Sequence, residues 1–493
     1  MTLRRSLLSL AVLCALVPPA QAGTSVYFSP NGGGAAAVAA RIDKAQDSVD
    51  VAMYSVSTNN DAPIFAALKR AIDERNVRVR IILKDRNKAK SVGPRLAELG
   101  CHVFYTTSTL HQKFSIIDAK SWSRRTLTNG SANWSLGADT TYSENTVIYD
   151  GWRYHRVIKA FQDEFNHLLS IAKPFSENAD QHVDPVDFWT WDSGPNPVEA
   201  LFTSANTGAG SYTAEGVVNG RIAAEIRNAK RSVIIDVAHF DSIPIGKALM
   251  EAYRASLEAE RADALNQAIP EADKRKRLEV QVLLDQGELA PGKYSQARAL
   301  EAAGIEVRYK YYSLTLHRSN WQLMHHKTAI IDREILISGS YNFSKTAEFS
   351  NYENAIVTRE PALVSAFIGE HEKLWSKGRD LLEPLKEVLF APKGSAKYQR
   401  YVPVHFNTDY FDATLTLTRD EIAPIYDRFT YYQGFDKKRT ARIWDRETDE
   451  ELKRPSGKSF DGFIAELIAE HGTFLEPKAG GAGAGLSGSL QQH

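Results

Sequence analysis

An excess of charge of either sign is missing from this sequence. Its 493 residues carry 60 Lys plus Arg against 60 Asp plus Glu. Net charge therefore names no partner, although a local basic patch would suffice for a nucleic acid. Cysteine is scarce as well, with two in the chain, which excludes a fold stapled by a disulfide framework. Past the first 22 residues no apolar run is long enough to span a bilayer as a helix. The hydrophobic 43% and charged 24% are those of globular domains, and the length is enough for two or three of them.

What is present begins with a leader. Arg4 and Arg5 precede the short apolar run "LLSLAVLCALV", and "AQA" ends at Ala22. This is the grammar of a secretory signal cleaved after Ala22, and the run is shorter than a membrane anchor needs. The expected location is secreted or periplasmic. Cleavage removes Cys14 and leaves Cys101, which opens an apolar run after Gly100 and is expected to be a buried, inert thiol.

The remaining chain repeats itself. "AARIDKAQDSVDVAMYSVS" (39–57) parallels "AAEIRNAKRSVIIDVAHFDS" (223–242), each a helix end, a polar turn and a β-branched strand. "VRVRIILKD" (77–85) parallels "LEVQVLLDQ" (278–286). "RLAELGCHVFY" (95–105) parallels "RALEAAGIEVRY" (298–309), a helix closed by Gly100 or Gly304 and followed by a strand. Helix and strand alternate, so the fold class is α/β, with one α/β unit per copy. The expected organisation is a leader over 1–22, a first unit over 23–178, a Pro- and Asp-rich linker over 179–197 that packs on a surface, and a second unit over 198–385. A small C-terminal region of unassigned role (386–475) and a flexible tail (476–493) follow. The second copy also carries a long helical stretch over 255–277 and an aromatic insertion before His325.

The chemistry sits late in each copy. "HQKFSIID" begins at His111 and "HHKTAIID" at His325. Alternate strand residues share a face, so His111 and Lys113 point together, as do His325 and Lys327, while His326 points the other way. "GSAN" supplies Ser131 and Asn133, and "GSYN" supplies Ser340 and Asn342. Fixed lysine charge, amide and hydroxyl donors, and a glycine that admits a close approach suit a phosphoryl group. Two histidines can divide nucleophile and acid work through a phosphohistidine. The lysines carry the positive charge, so such a site calls for no metal and no cofactor. Glu144 and Glu353, in "YSENTVIYD" and "NYENAIVTR", can orient imidazoles. Asp118 and Asp332 follow an apolar strand and are expected to serve backbone donors of the turn that follows. One HxKxxxxD arises by chance in about one chain of this size in twenty, but two copies with the same trailing GSxN and Glu-Asn do not.

These paired motifs resemble the phospholipase D superfamily, over residues 24–380 and not the C-terminal region. The resemblance is greatest to the compact branch of bacterial endonucleases and cardiolipin hydrolases. It implies two tandem α/β sandwich domains facing each other across a pseudo-twofold, with one active site at their interface. It implies His111 and His325 as the catalytic pair, with His111 the nucleophile and His325 the acid. Lys113, Lys327, Asn133 and Asn342 would hold the phosphate, Ser131 and Ser340 would line the site, and Glu144 and Glu353 would orient the histidines. Asp118 and Asp332 complete the motif and so stand with the catalytic set.

Three functions fit. The preferred one is a secreted phospholipase D that gives phosphatidic acid and a free head group. It draws on export, neutral charge and the apolar and aromatic side chains Tyr309, Tyr311, Tyr312, Leu314, Leu316 and Trp321, which could meet a phospholipid or membrane surface. The alternative is a metal-independent nuclease, drawing on the basic stretch Lys69 to Arg95 to track nucleic acid. The third is a non-catalytic binding protein, which would require decayed motifs. No obligate protein partner is evident, and a monomer suffices if both motifs serve one site.

Overall fold

The computed structural model describes residues 23–30, 32–190, 197–206, 210–285, 288, 294–310 and 323–376, and beyond these only the backbone of five short strands between 401 and 452. The leader, most of the aromatic insertion, the helix-like stretch near 461–472 and the tail lie outside the described residues.

β-Branched runs form two mixed sheets of matching order. The first reads, edge to edge, Thr24–Ser29, Glu144–Asp150, Thr126–Gly130, Lys113–Ile117, Ser48–Met53, Arg78–Leu83, His102–Tyr105 and Lys173–Pro174. The second reads Val198–Phe202, Asn354–Thr358, Ile335–Gly339, Lys327–Ile331, Ser232–Val237, Glu279–Asp285 and Glu306–Lys310. In each, the motif strand (Lys113–Ile117 or Lys327–Ile331) runs antiparallel to a parallel trio joined by helical crossovers. The chain is thus an α/β protein of two similar units.

Three apolar clusters define the layers. One packs the helices Gly34–Ile42, Pro63–Arg75 and Arg86–Glu98 on the outer face of the first sheet, with Cys101 fully buried among them. Another packs Val217–Asn228 and Ile243–Leu265 on the outer face of the second. The third joins the two inner faces. Phe114, Ile116 and Leu127 of the first sheet share it with Ile330, Leu336 and Ile356 of the second, and the helices His155–Ile171 and Pro361–Trp375 lie between. Apolar burial on this scale holds the units together.

Local expectations meet their structures unevenly. Gly100 and Gly304 close their helices with φ of 95° and 83°, a conformation that costs glycine little. The long helical stretch over 255–277 is a correction. The helix Ile243–Leu265 stops at Leu265, and a loop with a single 3-10 turn, Glu271–Asp273, follows. Pro270 cannot donate to a helix and restricts the residue before it. Tyr309 is a second correction. It is buried, and its hydroxyl donates to Glu301 at 2.8 Å, so it cannot meet a membrane. Tyr311, Tyr312, Leu314, Leu316 and Trp321 lie outside the described residues. The linker segment packs on the first sheet: Arg80 donates to the carbonyls of His182 and Asp184, and Asn166 holds Val186. Its Trp189 is exposed all the same.

Candidate active site

Each motif strand enters its sheet beside the other unit's Glu-Asn strand. Thr109–Leu110 pairs parallel with Asn351–Tyr352, and Ser143 bridges to Met324 in the same way. The His111 N–H donates to the Tyr352 carbonyl at 2.9 Å, and the His325 N–H to the Ser143 carbonyl at 3.0 Å. The backbone therefore sets each histidine one residue from the opposite unit's glutamate. The orienting pairs are crossed. His111 Nδ1 stands 2.7 Å from Glu353, and His325 Nδ1 stands 2.6 Å from Glu144. Each pair takes its imidazole from one unit and its carboxylate from the other, which spacing along the chain could not reveal.

Burial tunes the groups. Glu144 and Glu353 are fully buried, while the histidine side chains are 12% and 17% exposed. Burial alone would raise both carboxylates, but the facing histidine and the lysines hold them below their ordinary range. Burial lowers His111, and lowers His325 to about 4. Burial also pulls Lys113 down to about 7 and Lys327 to about 8, against the attraction of the glutamates. Lys113 feels Lys327 and Glu144 across the interface, so both motifs converge on one site. The Lys327 ammonium donates to the His325 carbonyl at 2.6 Å, and Lys113 makes the same bond to His111. With each Nδ1 aimed at a carboxylate, each Nε2 is the nitrogen left for substrate.

The serines and glycines do other work than the sequence suggests. Ser340 is fully buried; its hydroxyl donates to Glu353 at 2.6 Å and accepts the Asn354 N–H at 3.0 Å. Ser131, equally buried, accepts the Asn145 N–H at 2.9 Å. They brace the glutamate strands and are not open to a phosphate. Gly130 and Gly339 are needed for the same packing, since a Cβ there would stand 2.2 Å from the Asn145 carbonyl oxygen or 2.4 Å from that of Asn354. The close approach is strand against strand. Asn133 and Asn342 are half-buried, and the side-chain oxygen of each is buried with no partner among the described residues.

Asp118 and Asp332 stand at the far ends of the motif strands. Each lies five positions past its lysine, roughly 16 Å of strand, so neither belongs at the reacting centre. Asp118 accepts the N–H groups of Gln46, Asp47 and Ser48 and pairs with Arg124. Asp332 accepts those of Lys230, Arg231 and Ser232. The donors belong to the turn before each unit's first central strand, not to the turn that follows the aspartate. Both aspartates adopt positive φ, 48° and 54°, a region where Asp is among the tolerated residues.

Several neighbours carried no motif signal. The Tyr54 ring meets His111 edge to face at 4.8 Å, and Lys84 lies over the same ring at 4.5 Å. Both sit at C-terminal ends of parallel strands, where α/β sheets gather their binding groups, and that rule could have found them. His326 faces inward as expected, 3.0 Å from the Asn145 side-chain amide and 3.8 Å from Glu370. Gln112 takes the matching place opposite Glu164 at 2.7 Å.

The family described as cardiolipin synthase, PLD-like domain, matches residues 38–169 and 222–375. Over 81 residues the chain is 49% identical to a mitochondrial cardiolipin hydrolase of Danio rerio, covering 16% of this chain and 33% of that protein. It is 34% identical over 131 residues to a phospholipase D of Rickettsia conorii, covering 26% of this chain and 60% of the relative. Among solved structures, Nuc of Salmonella typhimurium, a phospholipase D family member, aligns with 24% identity and a TM-score of 0.27, covering 37% of this chain and 96% of that one. The chain thus spans about a third of the length of the Danio rerio hydrolase. The family match takes in both motifs and both sheets, and the chain belongs to the phospholipase D superfamily.

Proposed function

We propose that this protein hydrolyses phospholipid phosphodiesters outside the cytoplasm, through a phosphohistidine, to give phosphatidic acid and a free head group. The observation that carries the reading is the pair of crossed His–Glu contacts with two lysines between them. His111 Nε2 attacks phosphorus while Glu353 steadies the charge growing on its ring. The P–O bond to the head group breaks, and His325 gives its proton to the leaving oxygen. His325 then takes a proton from water. The water oxygen attacks the phosphorus, the P–N bond breaks, and His111 returns neutral. Lys113 and Lys327 face the oxygens that gain charge in both steps. A bound phosphodiester anion raises the pKa values of His325 and both lysines, so substrate loads the site with the protons it needs.

Lipid is favoured over nucleic acid by the fate of the basic stretch. Lys69 pairs with Asp73, Arg70 with Asp43, and Arg95 with Glu98, while Arg80 is buried on Asp50. These pairs occupy four of the ten cations in the stretch. Largely exposed Leu136, three residues past Asn133, suits an interfacial surface. The relatives named as cardiolipin hydrolases and phospholipase D support the same class.

The test is a paired assay in excess EDTA. Mature protein and His111→Ala are offered phospholipid vesicles and single- and double-stranded nucleic acid. Head-group release that vanishes in the variant is expected. Nucleic-acid cleavage without lipid turnover would keep the mechanism and replace the substrate.

A further inference from the structure

Among the described residues, the two units differ at the C-terminal ends of their central parallel strands. At the end of its first central strand the first unit has Tyr54, whose N–H donates to the Gln112 carbonyl at 3.2 Å. The second unit has Ala238 there, making the same bond to His326 at 3.2 Å. At the end of the neighbouring strand the first unit has Lys84 and the second has Asp285, which is buried and accepts the Met324 N–H at 2.8 Å. A feature needed only to hold the fold or the histidine would recur in both copies, as the glutamates, lysines and aspartates do. This one serves a single side of the site, and the partner that is one-sided there is the substrate.

Lys84 is well held for such a task. Its carbonyl accepts the Leu110 N–H at 3.2 Å and the Thr106 hydroxyl at 3.0 Å, which ties it to the segment leading into His111. Its ammonium lies 4.5 Å from the centre of the Tyr54 ring and donates to the Tyr54 hydroxyl at 3.2 Å. Lys113 lies 5.1 Å from that same ring centre, so both cations lie against one aromatic ring. The carboxylate nearest Lys84 is Asp85 at 3.8 Å, and it is already engaged in capping its helix through the Lys88 N–H at 2.8 Å. The Lys84 side chain is 29% exposed, within reach of a ligand. The scissile phosphate is met by Lys113 and Lys327. A third cation beside them is surplus for a head group without negative charge and opposes a cationic one.

We propose that Lys84, seated on Tyr54, is a specificity-determining subsite for a second phosphate, carried by a phospholipid with two phosphodiesters of the cardiolipin type. The inference rests on the lipid reading above and deepens it. Lys84 touches the far phosphate and Tyr54 positions Lys84.

The experiment compares wild type, Lys84→Met, Lys84→Arg and Tyr54→Phe on vesicles of cardiolipin and of phosphatidylglycerol. Both lipids are diluted into neutral lipid to equal surface charge. Assay at pH of about 6 keeps Lys113 protonated, so its titration does not enter. Lys84→Met is expected to lower kcat/KM on cardiolipin by about tenfold more than on phosphatidylglycerol, through KM, with the gap narrowing at ~0.5 M salt. Lys84→Arg restores it, and Tyr54→Phe falls between. Equal losses on the two lipids, or none, would overturn the subsite. Wild type that leaves both lipids intact and cuts single-stranded DNA defeats the lipid reading beneath, and this commitment with it.

Discussion

The two units are the same machine with different trim. Both place a histidine on the opposite unit's glutamate and a lysine on its own histidine's carbonyl. The first adds Tyr54 and Lys84 beside its histidine, and the second has Ala238 and buried Asp285 at those places. Reacting groups are duplicated because attack and departure are in line, so one histidine stands on the attacking side of phosphorus and the other on the leaving side. The trim is single because what hangs on those sides differs.

The largest expected effects fall on the histidines, and they break the equivalence of the halves. His111→Ala and His325→Ala each lower kcat by at least ~10³-fold on lipid. With an activated aryl phosphodiester, whose leaving group needs no proton, His325→Ala still forms an acid-labile phosphohistidine on His111, detectable by intact mass. His111→Ala forms none. A covalent adduct on His325 instead would reverse the roles.

Next come the crossed carboxylates. Glu353→Gln acts on His111 and Glu144→Gln on His325, each lowering kcat by about 10–100-fold. With the activated substrate Glu353→Gln slows adduct formation, whereas Glu144→Gln slows only its hydrolysis. Pairing within one unit would give the opposite pattern, so pre-steady-state kinetics of the two variants decides the crossing.

The alkaline limb of kcat/KM follows the lysines. Protonated Lys113 and Lys327 are the active forms, so kcat/KM, already falling above the His325 value of about 4, falls more steeply as pH rises through about 7 to about 8. Lys84 depresses Lys113, and Asp285 raises Lys327. Lys84→Met therefore moves the limb up and Asp285→Asn moves it down, each by less than about one pH unit. Shifts of the same sign would deny that the units are tuned oppositely.

Smallest in activity are the aspartates, which separate stability from catalysis. Asp118→Ala strands three turn N–H groups and costs about 3 kcal/mol of unfolding free energy. Asp332→Ala costs less, because Asp332 is only half-buried where Asp118 is fully buried, and water replaces its carboxylate more easily. Thermal unfolding measures both, and purified folded Asp332→Ala keeps near-wild-type kcat. A hundredfold loss of kcat with unchanged stability would return these residues to the catalytic set.

The repeat was legible because each copy spends the same residues on the same strands. Alternation along "HQKFSIID" put His111 and Lys113 on one face, and along "HHKTAIID" it turned His326 away from His325 and Lys327, where it meets Asn145. The serines misled because a hydroxyl after glycine reads equally as an anion donor or a brace, and only the full burial of Ser340 beside Glu353 chooses. The aspartates misled in part because the turn they cap is about seventy residues away from Asp118 and about a hundred from Asp332. In the basic stretch, the pairing of Lys69, Arg70 and Arg80 with Asp73, Asp43 and Asp50 shows only in three dimensions for the last two.

By itself, then, the sequence determined the α/β units, their duplication and the pairing of each lysine with its own histidine, because these depend on strand and helix periods within short segments. Only the tertiary structure decided which glutamate serves which histidine, what Ser131, Ser340, Gly130 and Gly339 are for, and where Lys84 and Tyr54 stand. Those relations cross the interface of two sheets or join strands far apart in the chain. They are fixed by apolar packing of the inner faces and by the backbone bonds from His111 to Tyr352 and from His325 to Ser143, which no local pattern encodes.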